Sequence, residues 1–339
     1  MREPRPVRSR VIAEVDYMAE GRQLGYLRVP HAHNDSAWGA VPVPILVVRK
    51  GDGPTLLLTG GVHGDEYEGP IILSDLVREL GPDEIKGRLI VVPTLHFPAA
   101  AAGTRLSPID QLDLNRSFPG DPGGSFAQVL AHYVGEVLLP MCDVNVDLHS
   151  GGRSLDCLPC TMSHIPDDAE VSERTLTLAR AFGAPLHVMN REVDGAHTLQ
   201  SRAEALGVIS LSSELGGGNR VNLDGLAIGA RGVRNVLRHL GMVAGKAEPA
   251  AATRVMLLPD VGSYGFAPAG GIFYPRHRLG TWVEAGQEAG AIYDIADPSR
   301  APTIFHYRRS GLLWCQRGQG RIKPGDSAAV VVRPDSESG

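Results

Sequence analysis

Short apolar runs of strand length alternate with segments of helical periodicity through the first 240 residues. Residues 55–60 and 87–93 are apolar runs next to glycine or proline, and residues 71–80 between them carry apolar side chains at helical spacing. The alternation continues with strands at 45–48, 143–148, 186–189 and 207–214 and helices at 126–140, 170–182, 198–206 and 224–240. It predicts an α/β fold with a mixed, mostly parallel sheet flanked by helices on both faces.

The pattern changes after a small, alanine-rich stretch at 241–253, which we interpret as a linker. Beyond it, glycine and proline separate short β runs at 270–274, 286–294, 310–315 and 325–332. We predict an α/β domain at 1–245, with a β-rich N-terminal lead, and a small all-β domain at 253–339. The second resembles a biotinyl- or lipoyl-carrier barrel but lacks a Met-Lys or Asp-Lys pair for modification, so we expect a structural lid or an oligomer contact.

Composition and charge exclude several classes of protein. The content of 43% hydrophobic and 21% charged residues is that of an ordinary globular protein. A net charge of -5 gives no reason to expect a nucleic acid as partner. No apolar segment follows the basic N-terminus, so no secretory signal is predicted, and no run approaches the length of a membrane span. Four cysteines fit a reduced cytosolic protein, and we expect a cytoplasmic location.

Metal-binding residue types follow three of the predicted strands. His63 and Glu66 lie in the loop after strand 55–60, His149 ends the strand that begins at 143, and Glu214 ends a third strand. In a parallel sheet these ends meet at one edge, where α/β proteins place their ligand sites. Two histidines and one carboxylate suit a single zinc ion with an open fourth position, as in catalytic sites. Glu214 is then free to act as a general base.

Polar residues outside the three strand ends add to this set. Asp147 lies two residues before His149, so both point to the same side of a strand and Asp147 could orient an imidazole. The long irregular segment 96–124 carries Arg105, which could stabilise an oxyanion. The same segment carries Asn115 and Arg116, which together could form a fork for a substrate carboxylate.

The motifs together resemble a known family. Residues 63–66 (His-Gly-Asp-Glu), 113–116 (Asp-Leu-Asn-Arg) and 147–149 (Asp-Leu-His), with Glu214, match in order and spacing the succinylglutamate desuccinylase and aspartoacylase family. Its members are zinc amidohydrolases related in fold to the zinc carboxypeptidases, and the resemblance covers most of residues 50–240. It implies one zinc per chain, bound by three ligands, with a general base, a residue that polarises the scissile carbonyl and two that hold the substrate's α-carboxylate. By this resemblance His63, Glu66 and His149 are the zinc ligands, and Glu214 is the general base. Arg105 polarises the scissile carbonyl, and Asn115 with Arg116 holds the α-carboxylate.

Longer strings around these motifs resemble the N-α-acetyl-L-2,4-diaminobutyrate deacetylase branch, which is associated with ectoine degradation. This resemblance implies a small N-acyl amino acid as substrate, with Nα-acetyl-L-2,4-diaminobutyrate as the expected one. The sequence leaves a homo-oligomer open. Shared catalytic loops do not by themselves fix the acyl pocket. A diaminobutyrate-type amine should need a carboxylate partner, for which Asp156, Asp194 and Glu192 are candidates.

Other readings of these residues remain open at the level of sequence. A carboxypeptidase that cleaves peptides would share the metal set, and a closed pocket would indicate a non-catalytic metal-binding protein. We interpret the Cys157 and Cys160 pair as structural, and the glycines at 216–218 as room for the chain to turn beside Glu214. Four other histidines have no partner at a telling spacing and are predicted to be ordinary: His96, His164, His187 and His197.

Overall fold

The computed structural model describes residues 1–4, 7–190 and 197–335 of the chain. The helices are α1 (Glu68–Glu79), α2 (Phe97–Ala102), α3 (Phe126–Tyr133), α4 (Ala169–Phe182), α5 (Leu199–Ala205) and α6 (Leu223–His239). The strands are β1 (Ile12–Ala13), β2 (Gly21–Pro30), β3 (Ala40–Lys50), β4 (Thr55–Gly60), β5 (Gly87–Val92), β6 (Val144–His149), β7 (Leu155–Cys157), β8 (Cys160–His164), β9 (Leu186–Asn190), β10 (Ile209–Glu214), β11 (Arg254–Leu258), β12 (Tyr264–Phe266), β13 (Gly271–Pro275), β14 (Trp282–Val283), β15 (Glu288–Tyr293), β16 (Thr303–His306), β17 (Gly311–Arg317), β18 (Arg321–Ile322) and β19 (Ser327–Pro334).

One large mixed sheet runs through the molecule. Its strands lie in the order β1-β2-β3-β5-β4-β6-β10-β8-β9-β11-β19-β17-β14, with β12 paired to β19 and β7 to β17. The central strands β5, β4, β6 and β10 run parallel to one another, whereas β3 runs antiparallel to β5 and β8 runs antiparallel to β10. The predicted α/β class with a mixed sheet is therefore confirmed. Parallel pairing holds at the centre, and the strands near both ends of the sheet pair mainly antiparallel.

The central strands are buried on both faces. Leu56 and Leu58 of β4 pack in one core with residues of α1, α4 and α6, and Leu57 packs in the opposite core with residues of α3 and α5. Every residue of β4 is buried, which explains why Leu56, Leu57 and Leu58 follow one another instead of alternating with polar residues. Among the helices of the described residues, none is long and apolar enough to cross a membrane.

Some element boundaries differ from those predicted. The first helix begins at Glu68 rather than at 71, because Pro70 lies in its first turn, where a missing N–H removes no helical hydrogen bond. The segment predicted to be irregular contains α2 and a single turn at Leu114–Arg116. The helix predicted to reach residue 140 ends its regular part at Tyr133 and continues as a π-helical and then a 3₁₀ turn.

The C-terminal residues are all-β, as predicted, and they contribute to two sheets. Strands β13, β15, β16 and β18 form a separate antiparallel sheet. Strand β11 instead joins the large sheet, parallel to β9, and β19 pairs with it on the other side. The division into domains 1–245 and 253–339 stays a prediction.

The structure pairs Cys157 with Cys315, so the prediction of reduced cysteines is wrong for these two. They lie opposite each other on the antiparallel strands β7 and β17, with their Cα atoms 4.2 Å apart. The pair is separated by 158 residues in sequence. Only the docking of β17 against β7 brings the two thiols together, and the spacing of the cysteines gave no sign of it. Cys142 and Cys160 are free and buried.

Helix α6 approaches the chain closely just after β10. A Cβ atom at Gly225 would lie 1.7 Å from the carbonyl oxygen of Leu215, which follows the last residue of β10. The contact involves backbone, so no side-chain rotation can relieve it. Glycine at position 225 therefore lets α6 dock against the end of the central strand.

We expect Gly225→Ala to destabilise the protein by more than about 2 kcal/mol, because the helix must shift away from Leu215. The matched control is Ala227→Gly at an exposed position of the same helix, which should cost about 1 kcal/mol through helix propensity alone. Urea unfolding of both variants measures the difference. Equal or reversed costs for the two substitutions would contradict this account of α6.

Candidate active site

Three strand ends that carry the candidate residues meet at one edge of the sheet. β6 lies between β4 and β10, parallel to both. In this register Gly60 pairs with Leu148, and His149 pairs directly with Glu214. The loop after β4 is thereby placed beside the ends of β6 and β10. The expectation that these strand ends lie together is confirmed.

The loop between β4 and α1 carries His63 and Glu66, and α2 packs directly against it. A Cβ atom at Gly64 would lie 2.0 Å from the backbone carbon of Ala99 in α2. The Gly64 N–H donates a hydrogen bond to the carbonyl oxygen of Thr104, at 3.0 Å. Glycine is therefore required between the two polar residues, because the loop and α2 share this space.

His63, Glu66 and His149 form a buried cluster. Nδ1 of His63 lies 2.6 Å from Oε1 of Glu66, and Nδ1 of His149 lies 2.8 Å from Oε2 of the same carboxylate. Each residue offers one possible ligand atom, and these atoms all lie within 4.8 Å of one another. Two imidazole nitrogens and a carboxylate oxygen at this separation can hold one metal ion.

The far side of each imidazole is held by a second carboxylate. Nε2 of His149 donates to Oδ2 of Asp147 at 2.7 Å, as expected for an orienting partner, and Asp147 accepts a further hydrogen bond from Thr59. Nε2 of His63 donates to Oδ1 of Asp113 at 3.1 Å. An N–H bound at Nε2 leaves Nδ1 of each ring as the lone-pair nitrogen, the arrangement of histidines that ligate metals. Sequence reasoning gave Asp113 no role, although it begins the Asp-Leu-Asn-Arg motif.

The charges of the cluster fit a cation between its members. Burial alone would raise the pKa of Glu66, but the two imidazoles lower it well below its usual range. Burial likewise opposes the charge on His149, yet Asp147 and Glu66 hold the pKa of its imidazole well above the usual value. The cluster thus favours a carboxylate facing positive charge. A divalent ion bound here would supply that charge and leave the imidazoles neutral.

Glu214 faces the same centre from the end of β10. Removal from bulk water, followed by the negative charge of Glu66, raises the pKa of the Glu214 carboxyl to about 8. Its Oε2 is a buried oxygen without a hydrogen-bond partner in the described structure. An acceptor kept unpaired beside a possible metal centre is available for a proton of water or substrate.

Three residues of the 96–124 segment line the same cavity as this centre: Arg105, Asn115 and Arg116. Arg105 contacts Asp113 through Nε at 3.1 Å, and its guanidinium lies 3.9 Å from Oε1 of Glu66. Asn115 accepts a hydrogen bond through Oδ1 from the backbone N–H of Leu199, at 2.9 Å. Arg116 is exposed and also lines the cavity. The guanidinium groups and the Asn115 amide are therefore placed where an anionic group can be bound.

All seven candidate residues line one cavity of about 520 Å³. Strands of the C-terminal residues close part of it with apolar side chains, which include Tyr264, Phe266 and Trp314. Sequence reasoning did not foresee this wall, because it depends on how distant strands dock. Polar residues that it also missed form another part of the lining: Ser150, Ser154, Asn190, Thr198, Gln200, Ser212, Ser213 and Ser327.

The three candidate partners for a substrate amine do not stand in the described lining. Asp156 is paired with Arg220 at 2.8 Å and is absent from the residues that line the cavity. Asp194 and Glu192 lie outside the described residues. Cys157 and its partner Cys315 both line the cavity.

The four histidines predicted to be ordinary differ in their surroundings. His164 lines the cavity and contacts Glu204, and its assignment as an ordinary histidine stays a prediction. His96 contacts the carbonyl oxygen of Val62, and His197 that of Phe118. His187 is fully buried between the hydroxyls of Thr161 and Ser163, at 3.0 and 3.1 Å.

Burial lowers the pKa of His187 to about 4 from an ordinary value of 6.5. The unfolded chain therefore binds a proton at this residue that the folded chain does not, so stability falls as pH drops from 6.5 towards 4. We expect a loss of about 2 kcal/mol between about pH 7.5 and pH 5 that His187→Gln removes. Urea unfolding of both proteins at the two pH values measures it. The same pH dependence in wild type and variant would contradict the assignment.

Comparison with known proteins agrees with the geometry. The catalytic-domain model of the succinylglutamate desuccinylase/aspartoacylase family matches residues 52–240. An N-alpha-acetyl-L-2,4-diaminobutyric acid deacetylase of Halomonas elongata is 43% identical over 325 residues, which cover 96% of this chain and 95% of that protein.

Solved structures extend the match over nearly the whole chain. A succinylglutamate desuccinylase/aspartoacylase from Rhodobacter sphaeroides is 46% identical with a TM-score of 0.93, covering 97% of this chain and 100% of that one. The product-bound ectoine utilization protein EutE (DoeB) from Ruegeria pomeroyi is 37% identical with a TM-score of 0.93, covering 96% and 99%. The resemblance seen in the motifs is confirmed, and the chain belongs to the succinylglutamate desuccinylase/aspartoacylase family.

Proposed function

We propose that this chain is a zinc-dependent deacylase that hydrolyses the amide bond of a small N-acyl amino acid, Nα-acetyl-L-2,4-diaminobutyrate. The proposal rests on one observation. A cluster of two histidines and one carboxylate, an unpaired Glu214 oxygen, and the side chains of Arg105, Asn115 and Arg116 share a single cavity. The deacetylase relative supports the deacylase class, and its substrate supports the choice of acyl amino acid. The ectoine utilization relative supports a role in ectoine degradation.

His63, Glu66 and His149 would hold the zinc ion, since their ligand atoms converge and their outer nitrogens are held by Asp113 and Asp147. When bound there, zinc would lower the pKa of a water molecule and polarise the substrate carbonyl. Asp113 and Asp147 keep the two imidazoles in the tautomer that presents Nδ1 to the centre.

Glu214 is assigned to proton transfer. It accepts a proton from the attacking water and delivers it to the leaving amine, which departs as the amide C–N bond breaks. Its unpaired Oε2 suits this task because no other hydrogen bond has to break first. Arg105 is assigned to the negative charge that develops on the carbonyl oxygen, because its guanidinium lies beside the cluster.

Asn115 and Arg116 are assigned to the α-carboxylate of the substrate. The Asn115 oxygen is occupied by the Leu199 N–H, so its amide nitrogen remains for the carboxylate. Holding the carboxylate fixes the scissile carbonyl relative to the centre and gives the step its geometry.

A substrate panel tests the proposed function. We would assay zinc-loaded enzyme with Nα-acetyl-2,4-diaminobutyrate, its Nγ-acetyl isomer, N-acetylaspartate, N-succinylglutamate and several dipeptides. The Nα-acetyl compound is expected to give the highest kcat/KM. Faster cleavage of dipeptides would favour a carboxypeptidase, and absence of all turnover with zinc bound would favour a non-catalytic metal-binding protein.

A cytoplasmic location belongs to the same proposal. It requires the Cys157–Cys315 pair to persist where glutathione keeps thiols reduced, and the burial of both residues to 2% and 1% exposure supports this. Thiol titration of the native protein after purification without reductant measures the state of the pair.

A further inference from the structure

The proposed substrate has a side-chain ammonium whose binding site the preceding assignments leave open. Among the described residues that line the cavity, the carboxylates are Glu66, Asp147 and Glu214. All three belong to the candidate metal centre and its proton acceptor. A buried ammonium needs hydrogen-bond acceptors. The acceptors that the described lining offers besides these three are neutral oxygens, among them those of Asn190, Thr198, Gln200 and Ser212.

Helix α5 contacts Asn115, which is assigned to the substrate α-carboxylate, and it also carries such an acceptor. The N–H of Leu199, the first residue of α5, fixes the oxygen of Asn115 at 2.9 Å. Gln200 is the next residue, and it also lines the cavity. Asn115 and Gln200 therefore both line this cavity, and the first turn of α5 links them, because Asn115 is bonded to Leu199 and Gln200 follows it.

The orientation of the Gln200 amide is set by its partners. Nε2 of Gln200 donates to Oε1 of Glu204, at 3.0 Å, and the other oxygen of Glu204 accepts from Nδ1 of His164, at 2.7 Å. Oε1 of Gln200 accepts a hydrogen bond from the hydroxyl of Ser212, at 3.2 Å. A carbonyl oxygen has two lone pairs, so one remains for a ligand. The Glu204 carboxylate polarises the amide and makes that oxygen a better acceptor for a cation.

This acceptor lies at a defined place relative to the reacting centre. Ser212 and Glu214 are two residues apart on β10, so their side chains share one face of the sheet about 7 Å apart. Gln200 contacts Ser212 on that face. The proposed ammonium subsite therefore lies two residues along β10 from the proposed base, Glu214. A short side chain can span this distance from the substrate's α-carbon.

We infer that Gln200 is a specificity-determining residue, whose side-chain oxygen accepts a hydrogen bond from the side-chain ammonium of the substrate. The inference rests on the proposed function and names the substrate group that this wall of the cavity selects. An apolar side chain in the same place would leave the second lone pair of the polarised oxygen desolvated and without a partner, so this part of the cavity discriminates against it. Ser212 and Glu204 act through Gln200 and are positioning residues.

The test compares two substrates that differ at a single group. N-acetylnorvaline has a methyl group where Nα-acetyl-2,4-diaminobutyrate has its ammonium. We would measure kcat/KM for both with the zinc-loaded wild type and with Gln200→Met, which keeps side-chain length and removes the acceptor. The preference for the amine substrate is expected to fall about 10- to 100-fold in the variant, through loss of a charge-assisted hydrogen bond.

Two further variants complete the test. Glu204→Gln is expected to reduce the same preference by a smaller factor, and it provides an independent readout if Gln200→Met does not fold. Gln287→Met, an exposed site in the C-terminal residues, is the matched control and should leave the preference unchanged.

The outcomes separate the inference from the proposed function. Suppose that the wild type hydrolyses the amine substrate, and that Gln200→Met either slows both substrates equally or slows neither of them. Gln200 then does not bind the ammonium, and the inference is wrong. The same holds if Glu204→Gln leaves the preference intact. If the zinc-loaded wild type hydrolyses neither substrate, the proposed function fails and the inference fails with it.

Discussion

Replacing Glu214 by glutamine is expected to lower kcat by about 10²- to 10⁴-fold, the usual contribution of a general acid–base residue. Glutamine keeps the size and shape of the side chain but cannot accept a proton. The carboxylate that it replaces has a buried oxygen with no hydrogen-bond partner among the described residues. It stands beside the candidate ligands without being part of their cluster. The loss should therefore appear in turnover rather than in metal binding.

Three measurements decide this prediction. Single-turnover and steady-state kinetics give kcat, elemental analysis gives the zinc content, and thermal unfolding reports the fold. We expect zinc content and melting temperature close to those of the wild type. A variant that retains zinc and loses less than about tenfold in kcat would remove Glu214 from the role of general base. Loss of zinc together with activity would instead assign it to the metal site.

Replacing Glu66 by glutamine is expected to abolish zinc binding at stoichiometric concentrations, and activity with it. The Glu66 carboxylate contacts both imidazoles, at 2.6 and 2.8 Å, and is the only anion directly between them in the described structure. An amide is a poor zinc ligand and supplies no negative charge. The substitution therefore removes one ligand and the charge that balances the ion.

Asp147→Asn is the matched control for Glu66→Gln. Asp147 contacts His149 on the side away from the cluster, so its loss should weaken zinc binding by about 10- to 100-fold without removing a ligand. Excess zinc is expected to restore activity to Asp147→Asn and not to Glu66→Gln. Competition with a chelator of known affinity gives both constants. Full zinc occupancy of Glu66→Gln at one equivalent would overturn the ligand assignment.

The central candidates could be predicted because each depends on local sequence and a general property of parallel sheets. His63 with Glu66, His149, and Glu214 each follow an apolar run long enough for one buried strand. Parallel strands place such ends along one edge, and the pairing of β4, β6 and β10 realises this arrangement. Asp147 could be predicted for the same reason, since a two-residue step along β6 returns to the same face.

Contacts between segments distant in sequence could not be predicted in this way. Asp113 begins the Asp-Leu-Asn-Arg motif, but only the docking of the long segment 96–124 brings it to His63. The disulfide between Cys157 and Cys315 forms only because β17 pairs with β7, and the two cysteines are 158 residues apart in sequence. Spacing along the chain carries no information about either contact.

The sequence by itself thus determined the α/β class, the strand ends that carry the candidate centre, and the family, because periodicity and short motifs are local properties. The tertiary structure decided what surrounds that centre. The Leu199 N–H occupies the amide oxygen of Asn115, whereas Glu204 occupies the amide nitrogen of Gln200. Strands of the C-terminal residues close part of the cavity. These features depend on which side chains meet when helices and strands dock, and that is set by packing over the whole chain.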